Sequence, residues 1–215
     1  MRALTGLTGK AIAVWAAAAA VFHLYTAYIG FLEPREQRSL HLLWLMPLIF
    51  LLYPASKKFS PQHRPSVLDW MLSALAIAPN VYSYVEANRI NMRLEDVDPV
   101  APIEVVLGTI VTVLVFEGLR RAVTPVLAGI MGGVIVYLFV TEYLPGMLYY
   151  RDIPLQDIAE TMFLFNGQGV YGAITGMSAT LVAIFIAFGA VVEGTGPIRR
   201  SSSAASRSVI TIAAA

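Results

Sequence analysis

The 215-residue chain contains no cysteine. That excludes disulfides, thiolate nucleophiles and cysteine-ligated metals, and it leaves the redox compartment open. Charge is scarce as well: Lys, Arg, Asp and Glu make up 13% of the residues, against about a quarter in a soluble domain. The net charge is +1, so no nucleic-acid partner is expected. Histidine occurs three times, and no Walker loop, nucleotide fingerprint or metal-ligand spacing is present. ATP-driven chemistry therefore has no foundation in these residues, and neither a metal nor any other cofactor is expected.

What the chain has instead is hydrocarbon. Apolar residues account for 57% of it, and the mean hydropathy is +0.68. An α-helix of about 20 apolar residues crosses a hydrocarbon layer roughly 30 Å thick. The pattern predicts an all-α polytopic membrane bundle with about six transmembrane helices, over residues 11–32, 39–55, 67–85, 100–116, 125–143 and 170–192. The first run is too long for the apolar core of a signal peptide and is read as an uncleaved span. Pro47 is expected to kink the second run, and Pro79 and Asn80 to break the third. Residues 33–38 read as a tight charged loop, 56–66 as a basic loop and 86–98 as an acidic one. Within 151–166, Leu155, Ile158, Met162 and Phe165 recur at helical spacing opposite Gln156, Asp157, Glu160 and Thr161, which predicts a short amphipathic helix lying in the membrane interface.

Orientation follows from the basic residues of alternate loops. The N-terminus, the loops after the second and fourth runs and the tail together carry ten Lys and Arg, and the opposite loops carry five. The N-terminus is placed in the cytoplasm.

Ionisable groups inside a span are expensive, so His23, Asn80 and Glu104 are the candidate polar cluster, all expected in one layer of the outer half of the bilayer. The plainer reading is interhelical hydrogen bonding, about 0.6 kcal/mol per contact in measured cases. Glu117 with Arg120 and Arg121 has the spacing of a local ion pair. Gly169, Gly172 and Gly176, followed by Ser178 and Thr180, fall at helical intervals and predict a packing surface where another backbone approaches closely. Gly129, Gly132 and Gly133 read the same way. GMSA around Ser178 invites comparison with an intramembrane serine protease. That chemistry needs a histidine base from another helix, and His23 is read as the only histidine within a span. No enzyme is expected.

The segments GVYGAITGMSAT and FGAVVEGTG resemble the start of the large membrane subunit of tripartite ATP-independent periplasmic (TRAP) transporters, in particular the fused permeases that work with TAXI-type solute-binding proteins. The resemblance covers most of residues 40–196 and is strongest from Glu117 onward. It implies a small-subunit-like four-helix scaffold over 1–119 and the opening of a large-subunit-like transport domain over 120–196. It also implies a bacterial inner membrane location, an extracytoplasmic TAXI-type binding protein as partner beside the lipid bilayer, carboxylate-bearing solutes, and Na+ or H+ as coupling ion. Metal sites and catalytic residues are not implied. The Ser-, Ala- and Arg-rich residues 197–215 break with the family pattern and read as a disordered, out-of-frame tail on a permease cut short before its ion- and substrate-binding hairpins. The alternative is a non-transporting membrane scaffold or docking subunit.

Overall fold

The computed structural model describes residues 2, 4, 6–56, 60, 61, 63–151 and 153–194. Expectations about the tail at 197–215 lie outside these residues. Among them the secondary structure is entirely helical: α1 (Gly6–Ile29), α2 (Pro34–Leu52), α3 (Val67–Val85), α4 (Ala87–Asn91), α5 (Pro102–Ala122), α6 (Pro125–Val140), α7 (Leu155–Phe163), α8 (Ala173–Met177) and α9 (Ala183–Gly194). Two short 3₁₀ turns follow α6, and a π-helical turn, Ser178–Val182, joins α8 to α9.

Local chemistry explains most of the boundaries. Pro34, Pro102 and Pro125 stand in the first turns of α2, α5 and α6, where no backbone N–H is missed. Ser66 and Asp69 form a reciprocal capping box at the start of α3, with the Ser66 N–H donating to Asp69 Oδ2 at 2.8 Å. Glu104 occupies the third position of α5 and accepts from the Ala101 N–H at 2.8 Å. It therefore sits in the first turn of α5, not two turns inside a span.

Four segments are long and apolar enough to cross a membrane: Gly6–Ile29, Pro102–Ala122, Pro125–Tyr143 and Ala173–Gly194. The 19-residue helices α2 and α3 match a span in length. Their sequences are more polar, because they carry the side chains that hold the bundle together. The most extensive packing is between α2 and α3, with α5 against α3, α6 and α7. The core they enclose includes Met46, Phe50, Ala76, Val111, Leu114, Phe163 and Tyr171.

Around this apolar core, burial departs from that of a soluble protein. In α6 and α9 no residue is buried, although Val126, Ile130, Val134, Phe185, Ile186 and Phe188 are all large and apolar. Meanwhile Arg35, Asp69 and Glu104 are each 1% exposed or less. Water would penalise so much uncovered hydrocarbon, and a bilayer solvates it. The chain is a helical membrane protein by this measure.

Three local expectations are corrected. Residues 34–38 are not a loop but the first turns of α2. Pro79 does not break α3, which continues through it to Val85. The last helix does not run unbroken from 170: Gly169 lies in a turn at φ +66°, Gly172 is an N-cap, and the helix starts at Ala173.

Candidate functional site

Polar side chains gather at two levels. At the end of the bundle near the N-terminus of α3, Asp69 is held between two fully buried guanidinium groups, Arg2 at 2.7 Å and Arg121 at 2.6 Å. Glu117 reaches Arg121 at 2.6 Å and Arg120 at 2.7 Å. The local ion pair read from the spacing is present, and Arg121 extends it across the bundle to α3.

The opposite end is organised by Arg35, a residue assigned above to a loop. Its guanidinium lies 4.5 Å from the centre of the Tyr171 ring. It donates to Ser83 Oγ at 2.9 Å, to the carbonyl of Leu164 at 3.2 Å and to that of Phe163. One turn later Arg38 donates to the carbonyls of Asn166 at 2.6 Å and Tyr171 at 2.8 Å. These oxygens are the free acceptors at the C-terminus of α7 and in the loop that follows, where a cation complements both the lone pairs and the helix dipole. Two α2 arginines thus clamp the segment leading into α8. Burial pushes the Tyr171 phenol up out of its ordinary range, although the nearby Arg35 charge opposes the shift.

The three candidate cluster residues each have partners of their own. His23 pairs with His41 at 2.8 Å. Asn80 Nδ2 donates to the Ala76 carbonyl at 2.7 Å, and its oxygen accepts from the Tyr171 hydroxyl at 2.9 Å. Glu104 accepts from Arg89 at 2.5 Å and Tyr82 at 3.2 Å, and hydrogen bonding to Glu104 raises Arg89 further above its usual range. Among the described residues no hydrogen bond joins the three to one another. Asn80 and Glu104 belong to the clamped end, while His23 belongs to a different constellation with His41.

The amphipathic helix α7 also differs from expectation. Its buried side is Ile158, Ala159, Glu160 and Phe163, with Leu155 exposed. Glu160 was assigned to the polar face, but it turns inward to meet Arg93 at 2.9 Å. A charged side chain bound to a buried partner is indistinguishable in sequence from one facing water.

The glycine pattern is rearranged in the same way. A Cβ at Gly169 would stand 2.2 Å from the Thr161 carbonyl oxygen, and one at Gly176 would stand 2.9 Å from the Arg38 guanidinium. Gly176 therefore makes room for an arginine, not a helix backbone. Around Gly129, Gly132 and Gly133 nothing lies within 4 Å. Close backbone approach is met at Gly169, against Thr161 and Met162 of α7, and again at Gly108, where a Cβ would meet the Ala159 carbonyl oxygen at 2.9 Å and Phe163 Cβ at 3.0 Å. Thr180 turns its hydroxyl back onto the Gly176 carbonyl at 2.9 Å.

Near the clamp, α1, α2, the π-turn and α9 line an open apolar cavity of about 310 Å³, and His23, His41 and Ser178 are among its lining residues. Gln37 donates at 3.3 Å to the Ala179 carbonyl, one of the carbonyls of the π-turn. No group of metal-ligating side chains is found among the described residues.

No family model, no curated protein and no solved structure matches the chain.

Proposed function

We propose that the chain is the scaffold and opening transport segment of a TRAP-type secondary permease, which takes up carboxylate-type solutes delivered by a TAXI-type binding protein and is driven by an ion gradient. In this reading α2 and α3 also cross the membrane, giving six spans, since 19 residues rise roughly 28 Å. The N-terminus lies in the cytoplasm of a bacterial cell, and the Arg35–Arg38 clamp lies on the outer side.

The observation that carries the reading is the seating of GVYGAITGMSAT. This is the stretch resembling the first transport-domain helices, and two arginines of the four-helix part grip the loop at its head through backbone carbonyls. A fused permease requires such a joint between scaffold and transport segment. The helix that follows carries a π-turn, a local change of register of the kind that concentrates at functional sites. Uptake tests the reading. Proteoliposomes holding the chain joined to the downstream transport segments of a TAXI-type permease, a candidate binding protein and an imposed Na+ or H+ gradient should accumulate a labelled carboxylate solute, and gradient-independent or absent uptake counts against it.

A second reading, a non-transporting docking subunit, is favoured by the buried charge clasps at both ends. They brace α2, α3 and α5 against one another rather than leaving them free to slide. In that case the same vesicles take up nothing, and the chain co-purifies with a membrane partner.

A further inference from the structure

The expectation that Ser178 has no base rested on His23 being the sole intramembrane histidine. The structure corrects this: His41 lies two turns inside α2, 4% exposed, between Ser178 and His23. Its Nε2 is 3.2 Å from Ser178 Oγ, and its Nδ1 is 2.8 Å from His23 Nε2. His23 Nδ1 is in turn 2.6 Å from the Ala19 carbonyl oxygen. With both imidazoles neutral, that last contact orders the proton positions along the chain. A carbonyl can only accept, so His23 Nδ1 carries the hydrogen and its Nε2 is the acceptor. His41 must then donate from Nδ1, which leaves Nε2 as the bare nitrogen facing the serine, and the Ser178 hydroxyl donates to it. A nucleophile hydrogen-bonded to a base, with the base oriented by a third group, is the arrangement that activates a serine.

We infer that Ser178 is an activated nucleophile, with His41 as its base and His23 as a positioning residue, directed at acyl esters with an aliphatic chain. The substrate class follows from the cavity. Apart from these three residues it is lined by side chains of Ala, Leu, Val and Ile, including Ala16, Ala20, Ala187 and Ala190, so an alkyl chain fits and a charged molecule does not. Its volume of about 310 Å³ is at the lower end of the roughly 300–1,000 Å³ typical of ligand pockets. In the step itself, Ser178 Oγ bonds to the acyl carbon while its proton passes to His41 Nε2. The bond from that carbon to the alcohol oxygen breaks, the proton leaves with the alcohol, and the serine is left acylated. The π-turn bears on this directly. It starts at Ser178, and such turns concentrate at functional sites because they redirect side chains out of helical register. The lining side chains offer no donor beyond the serine and the imidazoles. Without dedicated oxyanion donors a rate falls by about 10²–10³-fold, so slow single-turnover acylation is expected and an irreversible electrophile is the suitable probe. The inference is independent of the permease reading.

The test uses the full chain in detergent micelles or nanodiscs, treated with an alkyl fluorophosphonate and read by intact mass and peptide mapping. The expected result is one adduct on Ser178, abolished by S178A and slowed about tenfold or more by H41Q. His23→Gln, whose amide oxygen can still accept from His41, should retain labelling, whereas His23→Leu should lose it, a difference that a purely structural role for His23 would not produce. Where H41Q fails to fold, the two His23 variants decide the matter, because they leave His41 itself in place. No adduct, an adduct that persists in S178A, or equal labelling of His23→Gln and His23→Leu overturns the proposal.

Discussion

Asp69 shows how much one side chain carries in this bundle. It caps its own helix through Ser66 and neutralises two arginines, one from the N-terminal segment and one from the far end of α5. All three side chains are fully withdrawn from solvent. Breaking a buried pair leaves an uncompensated charge, which costs about 3–5 kcal/mol, far more than loss of a surface pair. Asp69→Asn should therefore lower unfolding stability by about 3 kcal/mol in detergent titrations. Combining it with Arg121→Gln should return part of that loss, and a double-mutant cycle with zero coupling would contradict the assignment. Nothing local in the sequence marks this residue for the role. Its capping-box spacing to Ser66 is legible, but its two cationic partners lie 67 and 52 positions away.

Among the helices, the decisive contact is that of α7 on α5. Gly108 lets the Ala159 carbonyl and the Phe163 side chain approach until no Cβ would fit. Gly108→Ala should cost roughly 1–3 kcal/mol through overpacking and loosen α7, which a protease accessibility assay on the 144–166 segment would register. Gly132→Ala is the contrast. That site on α6 has room for a Cβ, and replacing a helical glycine that has such room gains about 0.5–1 kcal/mol, so the melting temperature should stay level or rise. Equal losses at both positions would refute the packing account. Of the apolar stripe read in the sequence, only Ile158 lies on the buried side of α7, while Leu155 is exposed and Phe165 falls beyond the helix's end. The rotation of the helix was not legible, because Glu160 and the apolar residues share the inward face once Arg93 is there to receive the carboxylate.

For the molecule as a whole, the fact to explain is that large apolar side chains lie uncovered on α6 and α9 while charged ones share the buried interior. The absence of cysteine makes the topology directly measurable, since every thiol can be placed by choice. With the N-terminus inside, single cysteines at Gly30 and Gly146 should react with a membrane-impermeant maleimide added outside intact cells. One at Thr124, between α5 and α6, should react only after the membrane is opened. Labelling of Thr124→Cys from outside would reverse the orientation, and free labelling in the middle of α5 or α9 would remove those helices from the bilayer.

The membrane class and the four most apolar helices were determined by the sequence alone, because a bilayer imposes a length and a composition that any run of residues either meets or does not. The Glu117 pairings with Arg120 and Arg121 were equally available, since helical spacing brings such residues together whatever else surrounds them. What only the tertiary structure decided is which polar groups meet across helices: Arg35 with carbonyls some 128 positions away, Glu160 with Arg93, and His23, His41 and Ser178 from three separate elements. Those meetings depend on the rotational phase and relative height of each helix. Both are set by side-chain packing between helices, and neither leaves a periodic trace along a single chain.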